Sequence, residues 1–491
     1  MATQGKVSPG IKHYVDAASR ALKKQAEYIR SLRKCRFDTI AVHGLYSMEE
    51  AIDFNQGSII EPVYLSTSQA YRDADEMEAG LGYLIPTWCY SRIANPSIYY
   101  YEGVVALMEG YGFKGDVSCC ATASGMAALR SATDPFLDDK LSPGKPKNFV
   151  STCQIYGGTF QQFSVRKPEH GAECRFVVDS NDLDAWESKI DKNTRFLYGE
   201  APSNPSQSFF DIAKVAELAH RHGIPFIFDN TVATPALLRP LEHGVDIVVQ
   251  STTKSLITSG FAIGGAVIAR KGIRAKYATD DMRRDFGSYI KLLPNRDNGP
   301  NFSPMSAILA INDMRTLRMR MDHVSQSTLK ISEFLAGHPR VEKVDYLGLK
   351  ENPLHRIAKR YLFLVDSEFD AAYGKPVNRY GHLMSFRVKG GARAARQAFD
   401  ALQRIYRATD LGRIKSVATI PAISTHSQQG EAARKMADIP PSLIRLCVGA
   451  EHPDDIIADL DQSLSKVGGR VSRQVPMEFS FGGASSPIVR K

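Results

Sequence analysis

The stretch Asp246-Ile247-Val248-Val249-Gln250-Ser251-Thr252-Thr253-Lys254, followed by Ser255-Leu256-Ile257-Thr258-Ser259-Gly260 and the pair Gly264-Gly265, sets the frame for the whole chain. Ile247 to Val249 is a short continuous apolar run, the pattern of a strand buried on both faces, and it ends in three hydroxyl residues and a lysine. A lysine placed there can be partly desolvated, which lowers its pKa and frees a neutral amine for covalent chemistry with an aldehyde. A surface lysine in a Ser/Thr loop explains this stretch equally well, so the rest of the chain has to decide.

Upstream, strand and helix patterns alternate from Asn148 to Lys254. Apolar runs stand at Phe149-Val150, Phe176-Val177-Val178, Phe196-Leu197-Tyr198 and Ile224 to Phe228, with helical patterns at Leu183 to Ile190 and Ile212 to His222. This alternation predicts an α/β fold with a mostly parallel sheet flanked by helices, in which ligands sit beyond the carboxyl ends of the strands. The polar residues at those ends are then site candidates: Asp229 after one run, Tyr156-Gly157-Gly158-Thr159 after another, and Glu200-Ala201-Pro202-Ser203-Asn204-Pro205 after a third. A buried carboxylate such as Asp229 needs a cationic partner or hydrogen bonds. Earlier still, Ser124, Gly125 and Met126 open a helix whose unpaired N–H groups can hold an anion, and Asn95-Pro96 marks a second helix start beyond Tyr90 and Arg92. Tyr90 and Arg92 are two apart, so an extended backbone puts both on one side, where they could clamp a phosphate; a loop arginine paired with a local carboxylate is the plainer alternative.

After Gly265 the pattern changes to a long helix from about Pro304 to Leu335 and strands near Val341 to Tyr346, Leu383 to Phe386 and Leu443 to Gly449, closed by a helix from Asp454 to Val467. These form a smaller α+β domain at the C-terminal side. At the other end, Ile11 to Leu32 reads as an amphipathic helix, rivalled by a mitochondrial presequence against which Asp16 and Glu27 argue, and Arg36 to Asp75 reads as an arm. The expected division is an N-terminal helix and arm over 1–75, a cofactor-binding large domain over 76–303, a connecting helix and C-terminal domain over 304–467, and a mobile tail over 468–491.

Composition narrows the function class. The 491 residues are 43% hydrophobic and 23% charged, with no apolar run near the ~18 residues that cross a bilayer. Seven scattered cysteines lack the spacing of a zinc site or disulfide scaffold and fit a reduced, cytoplasmic protein with no metal. The net charge of +9 is spread along the chain rather than massed in one basic stripe, which argues against nucleic acid as a partner.

A lysine for an aldehyde, a carboxylate for a ring nitrogen, an aromatic face and a phosphate cradle together describe a site for pyridoxal 5′-phosphate. Tyr90-Ser91-Arg92 with Asn95-Pro96, Ser124-Gly125-Met126, Tyr156-Gly157-Gly158-Thr159, Pro202-Ser203-Asn204-Pro205, Asp229-Asn230-Thr231, Ser251-x-Thr253-Lys254 and Ile444-Arg445-Leu446-x-Val448-Gly449-x-Glu451 resemble the cystathionine γ-synthase family of transsulfuration enzymes, over about Phe37 to Leu464 and in the family's order. The resemblance implies fold type I of the pyridoxal-phosphate enzymes. It implies that Gly125, Met126, Ser251 and Thr253 hold the phosphate, with Tyr90 and Arg92 reaching across from a second subunit. It implies further that Tyr156 stacks on the ring and can activate the incoming amine, that Asp229 pairs with the ring nitrogen, and that Asn204 lies near the ring oxygen or substrate. Arg445 would take the substrate carboxylate, and Lys254 would carry the cofactor and move protons. A homodimer would be the minimal unit, and a homotetramer the expected assembly.

Departures fall around the substrate. Ser255 stands where the family has tyrosine or phenylalanine, Thr258-Ser259 where Gly-His is frequent, and the loop expected to line the substrate pocket reads Ser416-Val417-Ala418-Thr419-Ile420-Pro421, which leaves Ser416 as a pocket candidate. The expected reaction is γ-replacement on an activated homoserine, of the O-acetylhomoserine type, with sulfide or a thiol. The alternative is γ-elimination, as in methionine γ-lyase or cystathionine γ-lyase; methionine γ-lyases often carry cysteine where this chain has Gly158, which favours replacement. A non-catalytic doubly wound binding protein is a remote third reading, because no Gly-x-Gly-x-x-Gly follows the early strands.

Overall fold

The computed structural model describes residues 8–468. Its larger sheet has seven strands: β1 (Val117–Thr122), β2 (Lys147–Thr152), β3 (Ala172–Val177), β4 (Thr194–Glu200), β5 (Phe226–Asp229), β6 (Ile247–Gln250) and β7 (Gly265–Arg270), in the order β1-β7-β6-β5-β4-β2-β3. The five strands from β6 to β3 run parallel, and β7 and β1 complete the sheet antiparallel. Every residue of β2, β4 and β6 is buried, which is why the centres of these strands read as short apolar runs rather than alternations.

The smaller sheet has the order β10-β11-β12-β9-β8, built from β8 (Val341–Asp345), β9 (Leu383–Val388), β10 (Tyr406–Arg407), β11 (Val417–Thr419) and β12 (Leu443–Cys447). Helices over Leu317–Gly337, Gly391–Asp400 and Pro453–Ser465 pack beside it. The alternation from Asn148 to Lys254 thus folds as expected, and β8, β9 and β12 lie where the pattern put them, whereas β10 was not expected and β11 falls in the stretch read as a substrate loop.

Four local expectations are corrected. The sheet does not end at Gly265: Gly265–Arg270 is itself its β7, and β1, whose Val-Ser-Cys-Cys-Ala-Thr offers no apolar run, sits at the edge beside it. The long helix from Pro304 is two helices, Pro304–Met314 and Leu317–Gly337, parted at Arg315-Thr316. The arm contains helices at Phe37–His43 and Met48–Phe54, anchored by buried Phe37 and Ile40. Tyr346 lies just past its strand, buried with its hydroxyl donating to the Gly381 carbonyl at 3.0 Å. The first helix spans Pro9–Leu32, with the Ser8 hydroxyl accepting from the Ile11 N–H at 3.2 Å; the expected tail, Gly468 aside, lies outside the described residues.

Beneath the parallel strands Phe149 stacks on Phe196 at 4.7 Å between ring centres and meets the edge of Phe163 at 4.8 Å. All three are fully buried. Phe149→Ala removes that packing and leaves a cavity, so unfolding in guanidinium is expected to show a loss of about 3–5 kcal/mol. A loss below about 1 kcal/mol would mean that the layer does not support the sheet.

Candidate active site

The carboxyl edge of the parallel strands collects the polar groups. Asp229 ends β5 and Glu200 ends β4, paired side by side in register. Thr231 donates its N–H to Asp229 Oδ1 at 3.0 Å and the Tyr198 hydroxyl donates to Oδ2 at 3.3 Å, while among the described residues Asp229 forms no ion pair. Burial raises the pKa of both carboxyls, Glu200 strongly, and the two repel each other. A cation arriving beside Asp229 would relieve that cost.

Glu200 also reaches two loops. Its Oε2 accepts the Tyr156 N–H and its Oε1 accepts the Asn204 N–H, each at 2.8 Å. Asn204 Oδ1 in turn accepts Nη1 of Arg445 at 3.1 Å, and Arg445, buried on β12, donates Nη2 to the carbonyls of Asp410 at 2.7 Å and Thr409 at 3.2 Å. The Tyr156 ring side is 39% exposed, next to a cavity of about 280 Å³ lined by Gly158, Gln162, Arg166, Thr425 and Gln429. Burial pushes the Tyr156 hydroxyl pKa up, against the opposing pull of the Arg445 charge.

Lys254 follows β6 and does not stand alone among its hydroxyls. Its Nζ donates to Asp410 Oδ1 at 2.9 Å, and Asp410 Oδ2 pairs with Nε of Arg413. Arg413 Nη1 donates to the carbonyls of Thr253 at 2.7 Å and Ile257 at 2.8 Å, so the loop Thr409–Arg413 clasps the lysine loop from the smaller sheet. Burial raises the Asp410 pKa, but the Lys254 and Arg413 charges outweigh it and hold the carboxyl below its usual range. The approach is close: Gly412 has φ +74° and a Cβ there would fall 2.5 Å from the Ser255 nitrogen.

The expected anion cradle is equally tight. Ser124 caps the helix Gly125–Thr133 by accepting the Ala127 N–H at 3.1 Å, and Met126 packs on the core. A Cβ on Gly125 would lie 2.6 Å from the Ser251 Cβ, and one on Gly265 would lie 2.3 Å from the Ser124 carbonyl oxygen, so only glycine lets this helix start meet the lysine loop. Ser251 N–H donates to the Thr231 hydroxyl at 2.8 Å, which ties the cradle to the strand end carrying Asp229. The Thr253 hydroxyl closes its own loop, donating to the Gly264 carbonyl at 3.1 Å and accepting its N–H at 3.0 Å.

Most of the expected residues therefore share one bonded network. Three do not. Arg92 donates to the Arg296 carbonyl with its guanidinium 5.5 Å from the Tyr90 ring centre, and among the described residues neither is hydrogen-bonded to the Lys254 network. Ser416 is buried with its hydroxyl donating to Glu451 at 2.9 Å and accepting the Gly449 N–H at 2.9 Å; the loop that meets the lysine is Thr409–Arg413, just upstream of it. Sequence reasoning missed Asp410 and Arg413, whose signal is an Asp-Leu-Gly-Arg turn. It also missed Glu109, fully buried, which accepts from Gln250 at 2.6 Å and from Asn230 at 3.1 Å and so holds the ends of β5 and β6. Burial lifts the Glu109 pKa to about 7, against those two donors.

A buried carboxylate without an ion pair among the described residues, an aromatic face, a glycine-lined helix start and an amine fit a flat cationic ring that carries an anionic arm and an aldehyde. The comparisons with known proteins point the same way. The family model for Cys/Met metabolism PLP-dependent enzymes matches residues 38–465. The chain is 30% identical to an O-acetyl-L-homoserine sulfhydrylase of Corynebacterium glutamicum over 88% of this chain and 97% of that protein. It is 32% identical to a homocysteine synthase of Schizosaccharomyces pombe over 87% and 98%. Among solved structures, a Campylobacter jejuni protein holding N′-pyridoxyl-lysine-5′-monophosphate superposes with a TM-score of 0.76 at 32% identity, covering 88% of this chain and 100% of that one. With a matching model across most of its length and relatives covered almost end to end, the chain belongs to the family of Cys/Met metabolism PLP-dependent enzymes.

Proposed function

We propose that the protein replaces the γ-substituent of an activated homoserine, of the O-acetylhomoserine type, by sulfide or a thiol, using Lys254 as the cofactor-bearing and proton-moving residue. The observation that carries this reading is the bonded path from the Lys254 amine through Asp410 to the Arg445 guanidinium, which holds a proton-moving group and a carboxylate-binding group on one residue. The full-length likeness to sulfhydrylases supports the choice of reaction.

In this reading each group has a defined task. Pyridoxal phosphate, when bound, supplies a sink for the electron pair left at the substrate Cα. Asp229, ionised, keeps the proton on the ring nitrogen, and its lack of an ion pair among the described residues leaves it free for that cation. Tyr156 covers one ring face and lies next to the incoming amine. Arg445 offers a planar fork to the substrate carboxylate, with Asn204 fixing its other edge. The N–H groups of Gly125 and Met126, with Ser251 and Thr253, hold the phosphate. Lys254 takes the Cα proton and returns it further along the chain of the substrate.

Tyr90 and Arg92 complete the phosphate site of a neighbouring copy. That role is supported by Arg92 being bonded to the Arg296 carbonyl rather than to the Lys254 network, and by the exposed apolar residues Phe54, Ile59, Leu65 and Phe261, which leave surface to be covered by a partner. The working unit is then a homodimer at least, with a homotetramer as the full assembly and the division of the chain at 75, 303 and 467 as its domain plan. The cytoplasm suits the seven free thiols.

Incubation with O-acetylhomoserine and sulfide is expected to give homocysteine and acetate, with little 2-oxo acid when sulfide is withheld. Dominant 2-oxobutanoate would assign γ-elimination instead. Lys254→Ala should lose turnover and the visible absorbance that borohydride removes. Mixing Lys254→Ala with Arg92→Ala, each inactive alone, should restore about a quarter of native sites if the phosphate clamp crosses between copies of a symmetric dimer. No recovery on mixing would return Arg92 to its own chain. Gly125→Ala overpacks the cradle by about 1–3 kcal/mol, so cofactor retention after dialysis should weaken by roughly tenfold or more.

A further inference from the structure

We propose that Glu200 is a positioning residue that fixes Tyr156 and Asn204 at once, one carboxylate oxygen to each main chain, and through Asn204 sets the orientation of Arg445. The inference rests on the pyridoxal-phosphate reading of the site and adds to it a group that aligns ring face and substrate anchor together.

The placement follows from the sheet. β4 lies between β2 and β5, so a side chain on its last residue can reach the loop after β2, the loop after β4 and the strand end of β5. Glu200 occupies it, 4% exposed, with its two oxygens each 2.8 Å from an N–H, one of Tyr156 and one of Asn204. Asn204 is itself buried, so its N–H has no water to turn to if that bond is lost.

The side-chain type is tightly constrained. Glutamine would turn one acceptor into an NH₂ facing an N–H donor, so one of the two loops must let go. Aspartate is one methylene too short to span both. Alanine leaves two buried donors unmet. Keeping a second carboxylate beside Asp229 is costly in a buried site, since desolvation and mutual repulsion both act against it. A residue kept merely to fill space would not carry that cost. From Asn204 the path continues to Arg445 at 3.1 Å, so a shift of the Asn204 loop is passed to the guanidinium.

The test uses the full chain as wild type, Glu200→Gln, Asn204→Ala and the double variant, with Glu200→Asp as a milder second variant should the glutamine form fail to fold. On cofactor-free protein, hydrogen exchange of peptides containing Tyr156 and Asn204 should speed up on the order of tenfold at one loop in Glu200→Gln or Glu200→Asp, with the rest of the larger sheet unchanged. On loaded protein, cofactor dissociation and the absorbance titration with L-norleucine, a neutral amino acid with no leaving group, should each weaken about tenfold. The norleucine effect in the double variant should fall short of the sum of the two single effects, because both substitutions act along one path. Unchanged exchange at both loops, or additive effects on norleucine binding, would overturn the proposal. If wild type binds no pyridoxal phosphate, the functional reading fails, while the exchange experiment still decides whether Glu200 holds the two loops.

Discussion

Everything in this molecule that concerns chemistry depends on the clasp between Asp410 and the lysine loop. One carboxylate holds Lys254 and Arg413, Arg413 holds the carbonyls of Thr253 and Ile257, and the main chain of the same segment holds Arg445. The lysine loop belongs to the larger sheet and Asp410, Arg413 and Arg445 to the smaller one, so the clasp joins the two sheets at this site together with the Arg445–Asn204 bond. Its charges are half-buried and bonded on several sides, the condition under which ion pairs contribute rather than merely decorate a surface. The close fit at Gly412 then fixes how near the two loops come.

The site is also a place where polar burial is concentrated. Asp229, Glu200 and Glu109 stand on or beside the ends of three adjacent strands, in surroundings that raise the pKa of all three. Elsewhere in the larger sheet the interior is aromatic and aliphatic, with Phe149, Phe163 and Phe196 in contact. Stability is therefore supplied by one layer and spent along one edge, the pattern expected where electrostatic preparation for a ligand outweighs local stability.

The sequence made the parallel strands legible because strands buried on both faces are continuous apolar runs, and it made Asp229, Tyr156 and Lys254 legible because they end those runs. It hid β1 and β7, whose place is set by pairing across the sheet rather than by their own composition. Asp410 stayed hidden for a related reason: its partner lies 156 positions away, and no local periodicity records a contact made between two sheets. Ser416 was picked by its neighbourhood in the chain, whereas its hydroxyl is turned to Glu451 and Gly449. Glu200 was in plain view in the loop motif, but its reach to Tyr156 requires knowing that β4 lies next to β2.

The first helix shows a different economy. Pro9–Leu32 lies before the residues matched by the family model, buries only Ile11 and Leu32, and is stitched down by Tyr14 to Asp73, Ser8 to Asp75 and Lys24 to Glu49. The exposed Lys24–Glu49 ion pair is screened by salt, whereas Leu32 sits in the core with Tyr28 and Ile29 packed against it, and that contact is not. The helix is thus held by two kinds of grip, one that loosens as ionic strength rises and one that does not.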